Sequence, residues 1–397
     1  MLTMIEFYDK DILKNALAVL TMRPDRVVYI YDDELKDMNR FLSLEKCFKK
    51  HIPNIVVEKV PADISRIKNV YDATYDVIKT TDECMINLTG GSELMILGGY
   101  RAGFELGAQL LYTDITKREI VDIKTNKLVA NTAGLSLEDF IDAHGAELIG
   151  NSHVEPKEEE FDRILSVCKY LFNNINAWKE TCMFFQVVMA VLPANELRLA
   201  TGATVQQKNG KKLSVDRDML YELQKYGFIN DLVLTDKHVS LNFVSKKYRS
   251  YLISYGVWLE LFVYINGVRA GVFDDVKLGA MIDWDAYDGI TVAGNEFDVI
   301  IQDGSIPVFV SCKLRSADTA ALNELVIAKK RLGGWFSKSI IVVFSDDKRL
   351  KSGTYKKAKE LGVELLDKGD ILSNNFPDRL IKAVKEHDLV SMKWKKV

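Results

Sequence analysis

The chain has 397 residues, 48% of them hydrophobic and 27% charged, with 53 Lys and Arg against 56 Asp and Glu for a net charge of −3. That length suggests two or three domains, and the composition excludes intrinsic disorder, collagen-like fibres and low-complexity polymers. The near-neutral balance excludes a polycation, so any nucleic-acid contact has to come from local patches.

In chain order, the first 115 residues alternate short apolar runs with stretches of helical spacing. Strands are predicted at Met4–Tyr8, Arg26–Tyr31, Asn54–Val60, Cys84–Leu88 and Gln109–Tyr112. Helices are predicted at Ile12–Leu20, Glu34–His51, Ile64–Thr80 and Ser92–Leu106. Strand–helix alternation of this kind makes a parallel, doubly wound sheet, which binds ligands beyond the carboxyl ends of its strands. Residues 116–150 read as the exit from this unit: a hairpin (Glu119–Ile123, Lys127–Asn131) and a helix starting near Ser136. The polar stretch His153–Lys157 marks a boundary. Residues 158–192 read as two helices. Residues 194–245 read as helix, helix and hairpin, resembling a winged helix. Beyond 246 the expected order is an apolar helix over Tyr251–Asn266, strands Gly294–Gln302 and Pro307–Cys312, and a helix Ala320–Leu332. Strand Ser339–Phe344, helix Thr354–Leu361 and strand Val363–Leu366 follow, a mixed α/β unit. The expected organisation is 1–150, 151–246 and 247–397.

Cys47, Cys84, Cys168, Cys182 and Cys312 are scattered without a C-x-x-C, so a zinc ribbon has no support and the thiols read as buried. The N-terminal residues carry Glu6, Asp9 and Asp11 and lack the apolar core of a signal peptide. No apolar run approaches the roughly 20 residues of a membrane span. The expectation is a soluble, cytoplasmic protein with no membrane partner.

Two motifs carry chemistry. The first is Asn87-Leu88-Thr89-Gly90-Gly91-Ser92-Glu93, between the fourth strand and a helix. Its glycines let backbone N–H groups approach a phosphate, and the helix N-terminus favours an anion. Thr89 and Ser92 supply hydroxyls, or Ser92 caps the helix. The turn after the first strand, with Asp9 and Lys10, lies at the same end of the sheet, where Lys10 could meet a phosphate. The alternatives are a tight turn with no ligand and a solvated lysine. Neither a dinucleotide-binding nor a P-loop pattern is present.

The second motif is Asn295-Glu296-Phe297-Asp298, a turn, and Ser311-Cys312-Lys313 on the next strand. Alternation puts Glu296 with Asp298 on one face, Phe297, Val299 and Ile301 on the other, and Ser311 with Lys313 on a face of the partner strand. A hairpin can therefore gather Asp298, Ser311 and Lys313, the core of a metal-dependent nuclease. The acid would bind Mg²⁺ or Mn²⁺, and the lysine would position water and offset phosphate charge. Glu260 lies in an apolar helix, where an acid needs a partner or a metal. The alternatives are a surface hairpin with an ion pair and a solvent-facing Glu260.

At this point the sequence resembles a known family. Asn87–Met95 is similar to the ligand loop of CARF domains, the Rossmann-like sensors of cyclic oligoadenylate. Leu135–Gly145 is similar to a segment that follows the CARF sheet in one branch, the CARF-fused ancillary nucleases of type III CRISPR systems. Gly256–Glu260, Asn295–Asp298 and Ser311–Lys313 resemble that branch's restriction-endonuclease-like, PD-(D/E)xK-type domain. The resemblance runs in order from about residue 4 to about 365. It implies a homodimer enclosing one cyclic oligoadenylate, most often cyclic tetra-adenylate, as allosteric activator of a Mg²⁺- or Mn²⁺-dependent nuclease acting on DNA or RNA in antiviral defence. It also implies Asp298 as metal ligand, Lys313 as catalytic lysine, Glu260 as the helix acid and Glu296 as accessory. The chain departs from the common pattern at Ser311, where an acid usually stands two residues before the lysine. The metal would then rest on Asp298, Glu260, the Cys312 carbonyl and water. The competing expectation is a nucleic-acid-binding regulator with a non-catalytic nuclease-like domain.

Overall fold

The protein is described by a computed structural model, which covers residues 1–35, 38–292, 294–315, 319–333, 336–345 and 353–386. Residues 36–37 of the helix expected from Glu34, and the last eleven residues of the expected 247–397 unit, lie outside the described residues.

The N-terminal unit runs β1 (Leu2–Phe7), α1 (Ile12–Met22), β2 (Arg26–Asp32), α2 (Asn39–His51), β3 (Val56–Ala62), α3 (Ile67–Lys79), β4 (Glu83–Asn87), α4 (Glu93–Glu105) and β5 (Gln109–Asp114). The hairpin β6 (Glu119–Asp122) and β7 (Lys127–Asn131) completes it. The strand order is β3-β2-β1-β4-β5-β6-β7, parallel up to β5 and antiparallel after it. Met4, Ile5, Val27, Val28 and Ile30 are fully buried. Such continuous apolar runs suit strands covered on both faces. The order reverses between β1 and β4, so the loops after these two strands flank the switch point where doubly wound sheets bind ligands.

α5 (Leu137–Ala143) and β8 (Glu147–Asn151) lead on to α6 (Phe161–Asn173), α7 (Ile175–Met189), β9 (Arg198–Gly202), β10 (Thr204–Gln206), β11 (Lys212–Ser214), α8 (Arg217–Lys225), β12 (Ile229–Leu234) and β13 (His238–Phe243). Here the helix expected before residue 215 is absent. Leu199 faces the core between exposed Arg198 and Ala200, and this period-2 pattern pairs β9 with β13.

The C-terminal part contains α9 (Lys246–Leu252), α10 (Val257–Ala270), β14 (Asp275–Asp283), β15 (Asn295–Asp303), β16 (Ile306–Lys313), α11 (Thr319–Ala328), β17 (Lys338–Val343), α12 (Gly353–Glu360), β18 (Val363–Leu366), α13 (Lys368–Leu372) and α14 (Phe376–Lys385). The single helix expected over Tyr251–Asn266 is two, α9 and α10, bent by 116° at a break that ends in Gly256. Among the described residues no single helix is long and apolar enough to cross a membrane. The sheet has the order β18-β17-β16-β15-β14-β8, so the strand that straddles residue 150 is shared with the C-terminal unit. β14 carries no strand expectation in the sequence, because Gly279 and flanking polar residues interrupt its apolar run.

Three packed cores result. Ile5, Phe7, Val28 and Ile30 pack under α3 and α4. A second core runs from α1 and α2 through Phe140 and Ile141 of α5 to Ile282, Ile300 and Phe309 on one face of the C-terminal sheet. The third packs α6, α7, α8 and α10 on that sheet's opposite face, against Leu278, Val299 and Val310. The C-terminal sheet is thus clamped between the N-terminal unit and the middle helices. Arg118 Nη2 to Asp303 Oδ1 at 2.7 Å and Gln302 Nε2 to the Leu135 carbonyl at 3.0 Å fasten the first of these contacts. All five cysteines are free, and four are buried.

Candidate functional site

The glycine turn closes directly over the end of β1. Gly91 has φ +87°, and a Cβ there would lie 2.7 Å from Phe7 Cβ; one on Gly90 would lie 2.8 Å from the Phe7 carbonyl oxygen. Both glycines are therefore required by close approach and backbone conformation, whatever else they do. Asp9 reaches across: its Oδ2 accepts from Gly91 N–H at 3.1 Å and from Lys14 Nζ at 3.0 Å. Asp9, expected beside a ligand, instead occupies the Gly91 donor, and an incoming phosphate would have to compete with it. The Thr89 hydroxyl donates to Asn87 Oδ1 at 2.6 Å and accepts from Thr113 N–H at 2.7 Å. Ser92 caps α4, accepting from Met95 N–H at 3.4 Å. Lys10 is exposed at the same rim.

Beneath the loop lies a group that the sequence reading missed. Glu6 is fully buried on β1, and both its oxygens accept from Asn87 Nδ2, at 3.1 and 2.9 Å. Burial pushes its carboxyl well above the ordinary range, with the Asn87 hydrogen bond opposing. The signal available in the sequence was an acid inside the apolar run Met4–Phe7, a site that demands a hydrogen-bonding partner. His144, in the segment after the first sheet, is bonded to the Phe140 carbonyl at 2.7 Å and driven down to about 4 by burial; it is a neutral structural residue.

In the C-terminal sheet, β15 and β16 pair from Asp303↔Ile306 only as far as Val299↔Val310. Beyond that register Asp298 substitutes its side chain for the ladder. Its Oδ2 accepts from Cys312 N–H at 2.6 Å, Ser311 Oγ at 3.2 Å and Lys313 Nζ at 3.3 Å. Phe344 N–H donates to the Lys313 carbonyl on the β17 side. Alternation therefore turns the Cys312 N–H and carbonyl toward the Asp298 edge. Gly279, with φ +61°, stands opposite position 298 between the pairs Leu278↔Val299 and Ala280↔Phe297. The expected common face of Phe297, Val299 and Ile301 is corrected here: Val299 and Ile301 pack under α10, and Phe297 lies in the opposite core. The left-handed glycine coincides with the change of face, at constant register, and Asp298 lies at the point where the strands part.

Glu260 stands on the first turn of α10, behind Gly256. Burial first, then the charges of Asp298 and Glu296, push its carboxyl up to about 8, with Lys313 opposing. Burial alone would lower the Lys313 ammonium, but Asp298 outweighs it and holds Lys313 above its ordinary value. The Cys312 side chain packs in the core and its thiol is raised by burial, while its backbone N–H faces Asp298. Glu296 is exposed. Among the described residues no three His, Cys, Asp or Glu side chains converge closely enough to hold a metal. What remains is two carboxylates, one backbone carbonyl and an excess of negative charge. Hard oxygen donors of this kind suit Mg²⁺ or Mn²⁺, and a dication would relieve the repulsion that raises Glu260.

No protein-family model matches this chain, and no curated protein sequence matches it. Its fold does match solved structures. Can2 from Sulfobacillus thermosulfidooxidans, in complex with cyclic tetra-adenylate, superposes with a TM-score of 0.70 over 98% of this chain and 100% of its own, at 15% identity. Protein VC1899 from Vibrio cholerae does so with a TM-score of 0.75, 14% identity, and coverage of 97% and 99%. A type III CRISPR defence DNA nuclease activated by cyclic oligoadenylate matches with a TM-score of 0.54 and 14% identity, covering 96% of this chain and 51% of its own. The fold is shared along the whole chain. At these identities the likeness establishes architecture, not residue roles.

Proposed function

We propose that this chain is a cyclic-oligoadenylate-activated, metal-dependent nuclease of type III CRISPR defence, working as a homodimer on DNA or RNA. The observation that carries the reading is Asp298 gathering Cys312 N–H, Ser311 and Lys313 on one oxygen, beside Glu260. A structural ion pair has no need of a second, electrostatically strained acid; a phosphodiester site does. The ligand pocket lies at the switch point between β1 and β4 and uses Lys10, Asp9 and the loop Thr89, Gly90, Gly91 and Ser92, with cyclic tetra-adenylate as the activator favoured by the Can2 likeness.

At the nuclease site Lys313 holds positive charge next to the attacked phosphate, and Ser311 and the Cys312 N–H fix the Asp298 carboxylate. The other Asp298 oxygen, Glu260 and the Cys312 carbonyl would hold Mg²⁺ or Mn²⁺, which supplies Lewis-acid activation of the phosphate when bound. Glu296 adds negative charge at the rim. The restriction-endonuclease-like reading of this unit rests on the same carboxylate–lysine pair, and the winged-helix-like reading of the middle segment on α8 followed by the β12–β13 hairpin. Activation has a physical route: Leu135, just before α5, is bonded to Gln302 and Ser305 at the far end of the β15–β16 hairpin that carries Asp298.

The test is cleavage of labelled single-stranded and duplex DNA and RNA with and without cyclic tetra-adenylate, in Mg²⁺ and in Mn²⁺, for wild type and Asp298→Ala. Ligand-triggered cutting that Asp298→Ala abolishes is the expected result. One observation favours the second reading, a nucleic-acid-binding regulator: a neutral Ser311 stands where a third acid would complete the metal site. Wild type that binds nucleic acid under ligand control yet never cuts selects that reading.

A further inference from the structure

The candidate site is acidic. Glu260, Glu296 and Asp298 face one ammonium, Lys313, so the site itself does not draw in a polyanion. Positive charge concentrates elsewhere. Residues 198–217 contain Arg198, Lys208, Lys211, Lys212 and Arg217 against the single acid Asp216: five minus one gives +4 in a chain whose total is −3. Asp216 is already engaged, capping α8 by accepting from Met219 N–H at 2.8 Å.

Most of that charge sits on the β10–β11 hairpin, which among the described residues pairs with no other strand. Leu213, 2% exposed, and the partly buried Val205 anchor one face of it in the core beneath α7. Gln206, Lys208, Lys211 and Lys212 are exposed. The tip is ordered by hydrogen bonds: Gln207 N–H to the Lys211 carbonyl at 2.9 Å, and Gln206 Nε2 to the Gly210 carbonyl at 3.1 Å. Among the described residues Lys208 and Lys212 make no ion pair, and Lys211 has only an exposed one with Glu180 at 3.7 Å. These lysines have more apolar anchoring behind them than a solvated loop and almost no neutralising partner.

α7 links this hairpin to the nuclease site. Its Trp178 donates Nε1–H to the Tyr255 carbonyl at 3.4 Å and meets Trp258 edge-on at 6.0 Å, at the start of the helix that carries Glu260. The next residue, Lys179, lines a cleft with Lys211, Ser214 and the acids Glu180 and Asp216. We propose that the β10–β11 hairpin, through Lys208, Lys211 and Lys212, is a docking surface for the sugar–phosphate backbone of a nucleic-acid strand. The proposal rests on the nuclease reading and names the surface that reading lacks.

The test is fluorescence anisotropy of end-labelled single-stranded DNA and RNA with the full chain, in EDTA to prevent cutting, between 50 and 200 mM KCl. Each phosphate contact on a single strand contributes about 0.7 to the slope of log affinity against log salt. Lys208→Gln/Lys211→Gln/Lys212→Gln should flatten that slope by about 2 and weaken binding at least roughly tenfold at the lowest salt. Lys212→Gln alone should remove about 0.7, which keeps the proposal testable if the triple variant folds poorly. Loss on one arm alone identifies DNA or RNA as the strand. A slope and affinity equal to wild type overturn the hairpin assignment while leaving the nuclease reading intact. Wild type that binds neither strand, with and without cyclic tetra-adenylate, overturns the hairpin assignment, and the nuclease reading then stands or falls on the separate cleavage assay in Mg²⁺ and Mn²⁺. Wild type that binds in EDTA yet does not cut in the separate cleavage assay with Mg²⁺ or Mn²⁺ and cyclic tetra-adenylate, with binding lost in the triple variant, supports the hairpin and defeats the nuclease reading.

Discussion

Glu260→Gln separates a functional acid from an ordinary helix residue through stability alone. The Glu260 carboxyl is pushed from 4.5 to about 8 in the folded chain. A raised carboxyl contributes stability that is fully present below the unfolded value and is lost as pH rises through the folded one. The shift of 3.5 corresponds to about 5 kcal/mol as a ceiling, and solvent at the partly exposed carboxyl brings this to roughly 2 kcal/mol. Glutamine keeps the shape and hydrogen-bonding reach but cannot ionise. At pH 5 the two forms should melt nearly together; at pH 8.5 the variant should melt about 2–3 °C higher. Mg²⁺ should then raise the melting temperature of wild type more than that of the variant, because the dication stabilises the ionised carboxylate. The assay is thermal unfolding from pH 5 to 9, with EDTA and with Mg²⁺. Parallel pH profiles, or a variant less stable at pH 8.5, would refute a buried, raised Glu260 carboxyl.

Lys313→Ala should lower ligand-triggered cutting about a hundredfold, measured on labelled single strands, because it removes the ammonium bonded to Asp298. Gly91→Ala should destabilise the fold by about 1–2 kcal/mol in denaturant unfolding and weaken cyclic tetra-adenylate binding in calorimetry, since φ is +87° and its Cβ would meet Phe7. Thr89→Val should cost about 1–3 kcal/mol, because it strips the acceptor from Thr113 N–H and the donor from buried Asn87; unchanged stability would show that the loop re-forms without this network.

Much of the N-terminal sheet was readable in the chain itself, because a strand buried on both faces announces itself as an unbroken apolar run. The positions of β1, β2, β4 and β5 follow from Met4–Phe7, Val27–Tyr31, Cys84–Asn87 and Leu110–Leu111. The middle and C-terminal parts were less legible. β9 and β14 are short or interrupted, and α9 and α10 share apolar character across a break, so local periodicity does not separate them. The hairpin carrying Asp298 and Lys313 was visible, but the face of Phe297 was not, because the change of face coincides with Gly279 on the neighbouring strand.

The chemistry of each site was written locally: two glycines before a helix cap, and an acid and a lysine on consecutive strands. What tertiary structure decided is which groups meet. Asp9 comes from one loop to bind Gly91 N–H on another, and Asn87 arrives from β4 to accommodate the buried Glu6. β8, next in sequence to the first unit, completes the sheet of the last. Glu260 is raised first by its burial and then by Asp298 and Glu296, some 40 residues away along the chain. A sequence constrains each residue through its near neighbours and its own hydrophobicity. Electrostatic coupling and hydrogen-bond competition depend on distances in space, which are set only when the sheets stack and the strands part at Asp298.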